Sequence, residues 1–210
     1  MLSRGFTLLE VMITLVIVMF GLLGLAGLMA KGQRASFEAF QRQQALSFAT
    51  DIAERIRSNH GLAAEYATAA PLAAPLGSGV RFAQIGAGIR NCGNDTCTPA
   101  ETVAYDVALW DGALSGAGAS GATGGARVGG IPGAAGCVAP TGAAIGACPA
   151  APATPAGRFF FGQRYTVSVA WQGRDQTVAP TNSTCGSGLY GNESLRRVVT
   201  LDVMVQIPCP

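Results

Sequence analysis

At 210 residues, with 14 Lys and Arg against 12 Asp and Glu, the chain has no charge excess that would steer it toward a polyanion, and no nucleic-acid partner is expected. Only 12% of residues are charged and 49% are hydrophobic; with one membrane segment set aside, that leaves one modest soluble domain. The six cysteines (Cys92, Cys97, Cys137, Cys148, Cys185, Cys209) all lie after the apolar N-terminal run, which reads as disulfides in an oxidising compartment rather than reduced cytosolic thiols.

The chain opens on a short basic leader, Met1-Leu2-Ser3-Arg4-Gly5, followed by Phe6-Thr7-Leu8-Leu9-Glu10. From Val11 to Ala30 the run is apolar, with Thr14 its one polar side chain. As helix, residues 6–30 would span about 37 Å, enough to cross a hydrocarbon core of about 30 Å with some tilt. Arg4 ahead of the run places the N-terminus on the cytoplasmic side. Glu10 at the mouth of the run needs either a partner or a hydrated place at headgroup level, because a charge at a bilayer centre costs from about 2.5–3.5 to above about 10 kcal/mol. The competing reading is an ordinary secretory signal peptide, cut near the small residues Ala26 to Ala30.

Gly21, Gly24 and Gly27 recur every three residues. Each lowers helix propensity by roughly 1 kcal/mol, yet small residues allow membrane helices to approach closely. Beyond the run, Phe37, Phe40, Ala45, Phe48, Ala49, Ile52, Ala53 and Ile56 mark one apolar face. Glu38–Arg42 and Asp51–Arg55 are i,i+4 pairs on what reads as the solvated side. Asn59 and Gly61 suit a C-terminus. One helix of about 80 Å is therefore expected from Phe6 to Asn59.

The leader ending in Gly5, with Phe6-Thr7-Leu8-Leu9-Glu10-Val11 after it, resembles a type IV prepilin. Within that superfamily, residues 21–28 and Asp51-Ile52-Ala53-Glu54-Arg55-Ile56-Arg57-Ser58-Asn59 resemble the PilV family of minor pilins. The resemblance implies cleavage between Gly5 and Phe6 by a prepilin peptidase and N-methylation of Phe6. It also implies a subunit-docking role for Glu10, whose carboxylate the freed Phe6 amine could neutralise, since i and i+4 share a helix face. Gly27 stands where major pilins usually carry a proline, a departure that suits a minor pilin. The implied partners are the peptidase, other minor pilins, the major pilin, the inner-membrane pilus assembly machinery and the membrane itself. The implied location is the bacterial inner membrane, single-pass with a periplasmic C-terminal domain, and then the pilus.

Residues 63–75 are alanine-rich and end in two prolines, reading as a connection. Cys92 and Cys97 could close a small loop; no further Cys or His stands near them at metal-ligand spacing, so no metal is expected. Thr98-Pro99-Ala100-Glu101 is a helix start with a capping box, and Val103, Val107 and Trp110 form the buried face of the helix it opens. That helix also resembles the second helix of PilV proteins. Residues 112–157 are rich in Gly, Ala, Pro and Ser and read mostly as a surface loop, with Gly130-Ile131-Pro132-Gly133 a turn feeding a short strand. The glycines make no phosphate-binding motif.

Arg164 to Gln172 and Arg196 to Ile207 alternate in the manner of paired antiparallel strands. Tyr165, Val167, Val169 and Trp171 face one way in the first; Val199, Leu201, Val203, Val205 and Ile207 do so in the second. Six cysteines allow fifteen pairings. Sequential pairing is taken as the expectation: Cys92–Cys97, Cys137–Cys148 and Cys185–Cys209, the last enclosing a loop like those of other pilins. His60 suits a helix-end role, and no nucleophile elbow, cofactor motif or metal motif appears, so no catalysis is predicted. The expected architecture is an α+β type IV pilin-like fold: leader 1–5, membrane half 6–30, amphipathic half 31–60 and a disulfide-bonded domain 61–210. The expected function is that of a PilV-like minor pilin that primes or regulates pilus assembly, serving twitching motility and adhesion. The alternatives are a minor pseudopilin of a type II secretion system and a membrane-tethered adhesion module.

Overall fold

A computed structural model describes residues 5, 7–119, 128–145 and 160–208. In chain order the elements are α1 (Leu8–Ser58), a 3-10 turn (His60–Leu62), α2 (Ala63–Ala69), α3 (Val80–Ala83), α4 (Pro99–Ser115), β1 (Ala135–Ile145), β2 (Phe160–Gln172) and β3 (Arg196–Pro208). The chain divides into two compact units, Met1–Gln41 and Arg42–Pro210.

The first unit is the apolar part of α1. Its window of 18 residues reaches a mean hydropathy of 2.6, with none of it buried. By length and composition such a helix can cross a membrane. Thr14, the polar exception, returns its hydroxyl to the Val11 carbonyl at 2.9 Å, so the run carries no unsatisfied hydroxyl into an apolar medium. Phe37 and Phe40 are 45% and 61% exposed, and the continuous buried stripe begins at Ala45.

In the second unit, α1 buries Ala45, Ala49, Ile52, Ala53 and Ile56 completely. Alanine at three of those positions lets neighbouring elements approach the helix axis. Opposite stand Val103, Val107, Trp110 and Leu114 of α4, and one face of the sheet: Val138, Tyr165, Val167, Val169, Trp171, Val199, Val203 and Val205. The Trp110 indole crosses to α1, donating to the Phe48 carbonyl at 2.9 Å.

The sheet is antiparallel in the order β1-β2-β3, and the β2–β3 ladder runs unbroken from Phe160↔Pro208 to Gln172↔Arg196. The architecture is thus α+β, the long helix and C-terminal antiparallel sheet of the type IV pilin fold. Gly136 sets how closely β1 meets α4. A Cβ there would lie 2.5 Å from Leu114 Cδ1 and 2.7 Å from Trp110 Cη2, contacts no side chain tolerates.

Two sequence readings are corrected here. Residues 63–75 are not all connection: Ala63–Ala69 is helical, with Tyr66 fully buried. Alanine has the highest helix propensity of all residues, and Pro71 and Pro75 lie beyond the end of this helix. The Gly/Ala-rich stretch also holds regular structure among its described residues. Its first residues complete α4, and Ala135–Ile145 is a full strand with seven consecutive register pairs to β2, Ala135↔Ala170 to Thr141↔Arg164. Backbone pairing and the small space beside Trp110 favour glycine and alanine there over bulky strand formers.

Candidate functional site

The head of α1 is built by Thr7. Its hydroxyl accepts the Glu10 amide at 3.3 Å, and its carbonyl accepts the same amide at 3.1 Å. Thr7-Leu8-Leu9-Glu10 is a helix start in which Glu10 falls in the first turn, the spacing of a capping box. A carboxylate in the first turn sits against the positive end of the helix dipole. The sequence reading gave the Glu10 carboxylate a partner, the Phe6 amine, and missed the cap that Thr7 places on the Glu10 amide; the signal was Thr three residues before Glu. Gly5 and Glu10 are exposed. Phe6 lies outside the described residues. Cβ atoms placed on Gly21, Gly24 and Gly27 meet nothing within 4 Å.

The amphipathic half of α1 is fixed by a polar network. Arg55 Nε meets Asp51 at 3.2 Å, the expected i,i+4 pair, but Arg55 Nη1 also reaches Asp106 of α4 at 2.7 Å. The Tyr66 hydroxyl donates to the other Asp106 oxygen at 2.6 Å and accepts from Asn59 Nδ2 at 3.0 Å. Asp106 is only 7% exposed. The face read as solvated therefore carries the charge that a buried carboxylate on α4 requires. Burial, then the Asp106 hydrogen bond and charge, push the Tyr66 hydroxyl well above the ordinary phenol value. Burial pulls Arg55 down, but the Asp106 hydrogen bond and the charges of Asp51 and Asp106 outweigh it and leave the guanidinium raised.

A second buried carboxylate, Asp111, accepts the amides of Gly77 at 2.6 Å and Arg81 at 2.9 Å. It thereby ties the turn before α3 to α4. Gly77 adopts φ +126°, and a Cβ there would sit 1.9 Å from the Ala134 carbonyl oxygen. At the start of α4, the predicted capping box is formed: Thr98 Oγ1 accepts the Glu101 amide, and Glu101 accepts the Thr98 amide at 2.7 Å. Those hydrogen bonds, the backbone one first, hold the Glu101 carboxyl below its usual range.

Cys92 is bonded to Cys97, and Cys137 to Cys185. The second bridge overturns two expectations, Cys137–Cys148 and Cys185–Cys209. Those paired sequence neighbours, but Cys137 sits on β1 opposite Ser168 of β2, and the connection from Gly173 to Leu195 brings Cys185 over that face. Cys148 and Cys209 lie outside the described residues. Arg196, 4% exposed, holds the same connection. It donates to the carbonyls of Pro180 at 3.0 Å, Ser183 at 2.7 Å and Cys185 at 3.2 Å, and to Glu193 at 2.6 Å. The Gly188 amide, then Arg196, hold the Glu193 carboxyl below its usual range. Under this cover Ala170 and Ser168 are buried, so from Val167 to Trp171 both faces of β2 are dry where alternation predicts one.

Among the described residues, no group of three or more His, Cys, Asp or Glu could hold a metal. His60 is exposed at the start of the 3-10 turn. A cleft of about 350 Å³ is lined by Phe48, Phe82, Leu109 and Val128, with Asp51 and Arg55 at its side. Its charged pair is the Asp51–Arg55 salt bridge within α1 already described, and Arg55 is also held by Asp106 of α4.

No curated protein and no solved structure gives a significant match to the chain. Residues 1–26 match the prokaryotic N-terminal methylation motif. Residues 28–108 match the family described as Tt1218-like, type IV pilin Tt1218. Joined to the fold, these two matches support a type IV pilin, a subunit of a structural and non-catalytic family whose N-terminal motif implies processing by a prepilin peptidase and entry into pilus assembly.

Proposed function

We propose that the chain is a minor pilin of the PilV type, a non-catalytic subunit that primes or regulates type IV pilus assembly. The observation that carries this reading is the exposed, unburied apolar half of α1 headed by Gly5, Thr7 and Glu10. Such a surface needs lipid before assembly and other helices after it. In this reading residues 1–5 are the leader, the peptidase cuts between Gly5 and Phe6, and Phe6 is methylated. Glu10 docks against the amine of Phe6, its own or a neighbour's. The subunit waits in the inner membrane with its disulfide-bonded domain in the periplasm. It then joins other minor pilins and the major pilin through α1. Gly27, in place of the proline usual in major pilins, supports the minor role.

Mass spectrometry of the mature N-terminus tests the processing step, for which a methylated Phe6 start is expected. A start near Lys31 would restore the ordinary signal peptide and defeat the proposal. A deletion strain tests the role: loss of surface pili and of twitching is expected. Normal pili with lost exoprotein secretion would instead select a type II secretion pseudopilin, which shares the N-terminal motif.

A further inference from the structure

The two edges of the sheet are treated differently. The outer side of β1 is occupied: Gly136 exchanges hydrogen bonds with Leu76 at 2.8 and 2.9 Å, and the Val138 amide donates to the Ala70 carbonyl at 2.8 Å. The outer side of β3 has no backbone partner from Val198 to Gln206 among the described residues. This strand has 13 residues, about 44 Å of extended chain. It pairs with β2 without a bulge and holds no lysine, and no proline before Pro208. Those are among the devices that ordinarily blunt an edge, and Asp202 is the one charge in the open stretch. Alternate amides and carbonyls along it point outward, ready-made for an added strand.

Charge selects among occupants. Asp202 is exposed, near the middle of the open stretch, with one oxygen taken by the Thr166 hydroxyl at 2.7 Å. A second copy pairing antiparallel about Asp202 would set two carboxylates face to face, which is destabilising. A shifted self-pairing that brings a cation to Asp202 must use Arg196 or Arg197. Arg196 is buried among carbonyls; Arg197 is engaged by Thr177, Ser194 and Asp175.

We propose that the outer edge of β3, Val198 to Gln206, is a strand-addition site for an extended segment of a different protein chain, apolar at alternate residues and carrying a Lys or Arg to meet Asp202. The core-facing side chains of the added strand would continue the apolar row of Val199, Leu201, Val203 and Val205. Its other side chains would flank Thr200, Asp202 and Met204, the last of which is 40% exposed. The site rests on the sheet alone and stands whether the chain is a minor pilin or a pseudopilin.

The test uses full-length protein in detergent and a short capped peptide alternating valine and threonine with one central lysine. Amide exchange read by mass spectrometry should show new protection at alternate residues of 198–206. Replacing the lysine by glutamate should weaken binding about tenfold, as should Asp202→Asn. Met204→Lys should weaken it without altering the Cys137–Cys185 bridge, which reports the fold; Thr200→Lys is the second edge variant should the first misfold. Absence of protection at β3 with the lysine peptide overturns the proposal, as does equal affinity for the lysine and glutamate peptides. Protection that appears without peptide as the protein dimerises also overturns it, by making a second copy the occupant.

Discussion

Tyr66 on α2 and Asp106 on α4 meet through a hydrogen bond of 2.6 Å that is buried from solvent. Arg55 of α1 grips the opposite oxygen of the same carboxylate at 2.7 Å. Three helices are thus joined at one side chain. Tyr66→Phe removes one donor and leaves a buried carboxylate oxygen under-satisfied, a loss of about 1–3 kcal/mol. Asp106→Ala should destabilise at least as much, since it takes the acceptor from both Arg55 Nη1 and the Tyr66 hydroxyl. Urea midpoints of the two variants and the double variant check this, and the double should fall well short of the sum.

The same tyrosine predicts the alkaline limit. Its folded pKa is raised above its unfolded value of about 10, so the folded state holds the proton longer. The stability it contributes is whole below about pH 10 and declines as pH rises toward the folded value. Tyr66→Phe should flatten that decline, read as urea midpoint against pH.

On the acid side the signs reverse. Glu101 and Glu193 are held below their usual range. Their contribution is present above the unfolded value near pH 4.5 and is lost as pH falls through the lowered folded values. Thr98→Ala removes the cap of α4, a loss of about 1 kcal/mol. It should also shrink the acid dependence in part, because it removes the Thr98 hydroxyl's hydrogen bond to Glu101 while the larger one, from the residue 98 amide, stays.

The Cys137–Cys185 bridge closes a loop across a separation of 48 residues. Loop-closure entropy puts its contribution at about 4 kcal/mol. The double Cys→Ala variant should melt well below the parent, measured by circular dichroism. Opening Cys92–Cys97, a separation of 5, should matter far less.

Gly136→Ala is expected to be destabilising by about 1–3 kcal/mol through overpacking against Trp110 and Leu114. Gly136→Ala should cost less in a Leu114→Ala background than in the parent, an outcome that backbone flexibility at Gly136 would not produce.

How much of the fold was legible in the sequence varied with the kind of signal. Period and punctuation carried α1, the capping box at Thr98 and the β2–β3 pair, because each depends on neighbours along the chain. The strand β1 was hidden because its glycines and alanines look like loop composition; Gly136 among them is required by Trp110 and Leu114, which lie more than twenty residues earlier. Asp106 and Asp111 gave no sign of burial, since their partners sit on other elements. The disulfide at Cys137 was mispaired for the same reason: proximity came from β-register, not from spacing. At the candidate site, Glu10 was legible by its position in an apolar run, while Thr7 looks like an ordinary polar residue at the edge of the leader.

The connection from Gly173 to Leu195 has one further consequence. It is held by its covalent bond at Cys185 and by the carbonyls that Arg196 gathers, with little apolar burial of its own; Val178 is 92% exposed and Leu189 60%. Its outer residues can therefore change without disturbing the helix or the sheet beneath. The fold thus sets a replaceable outer covering over a sheet and helix whose packing does not depend on that covering's exposed side chains.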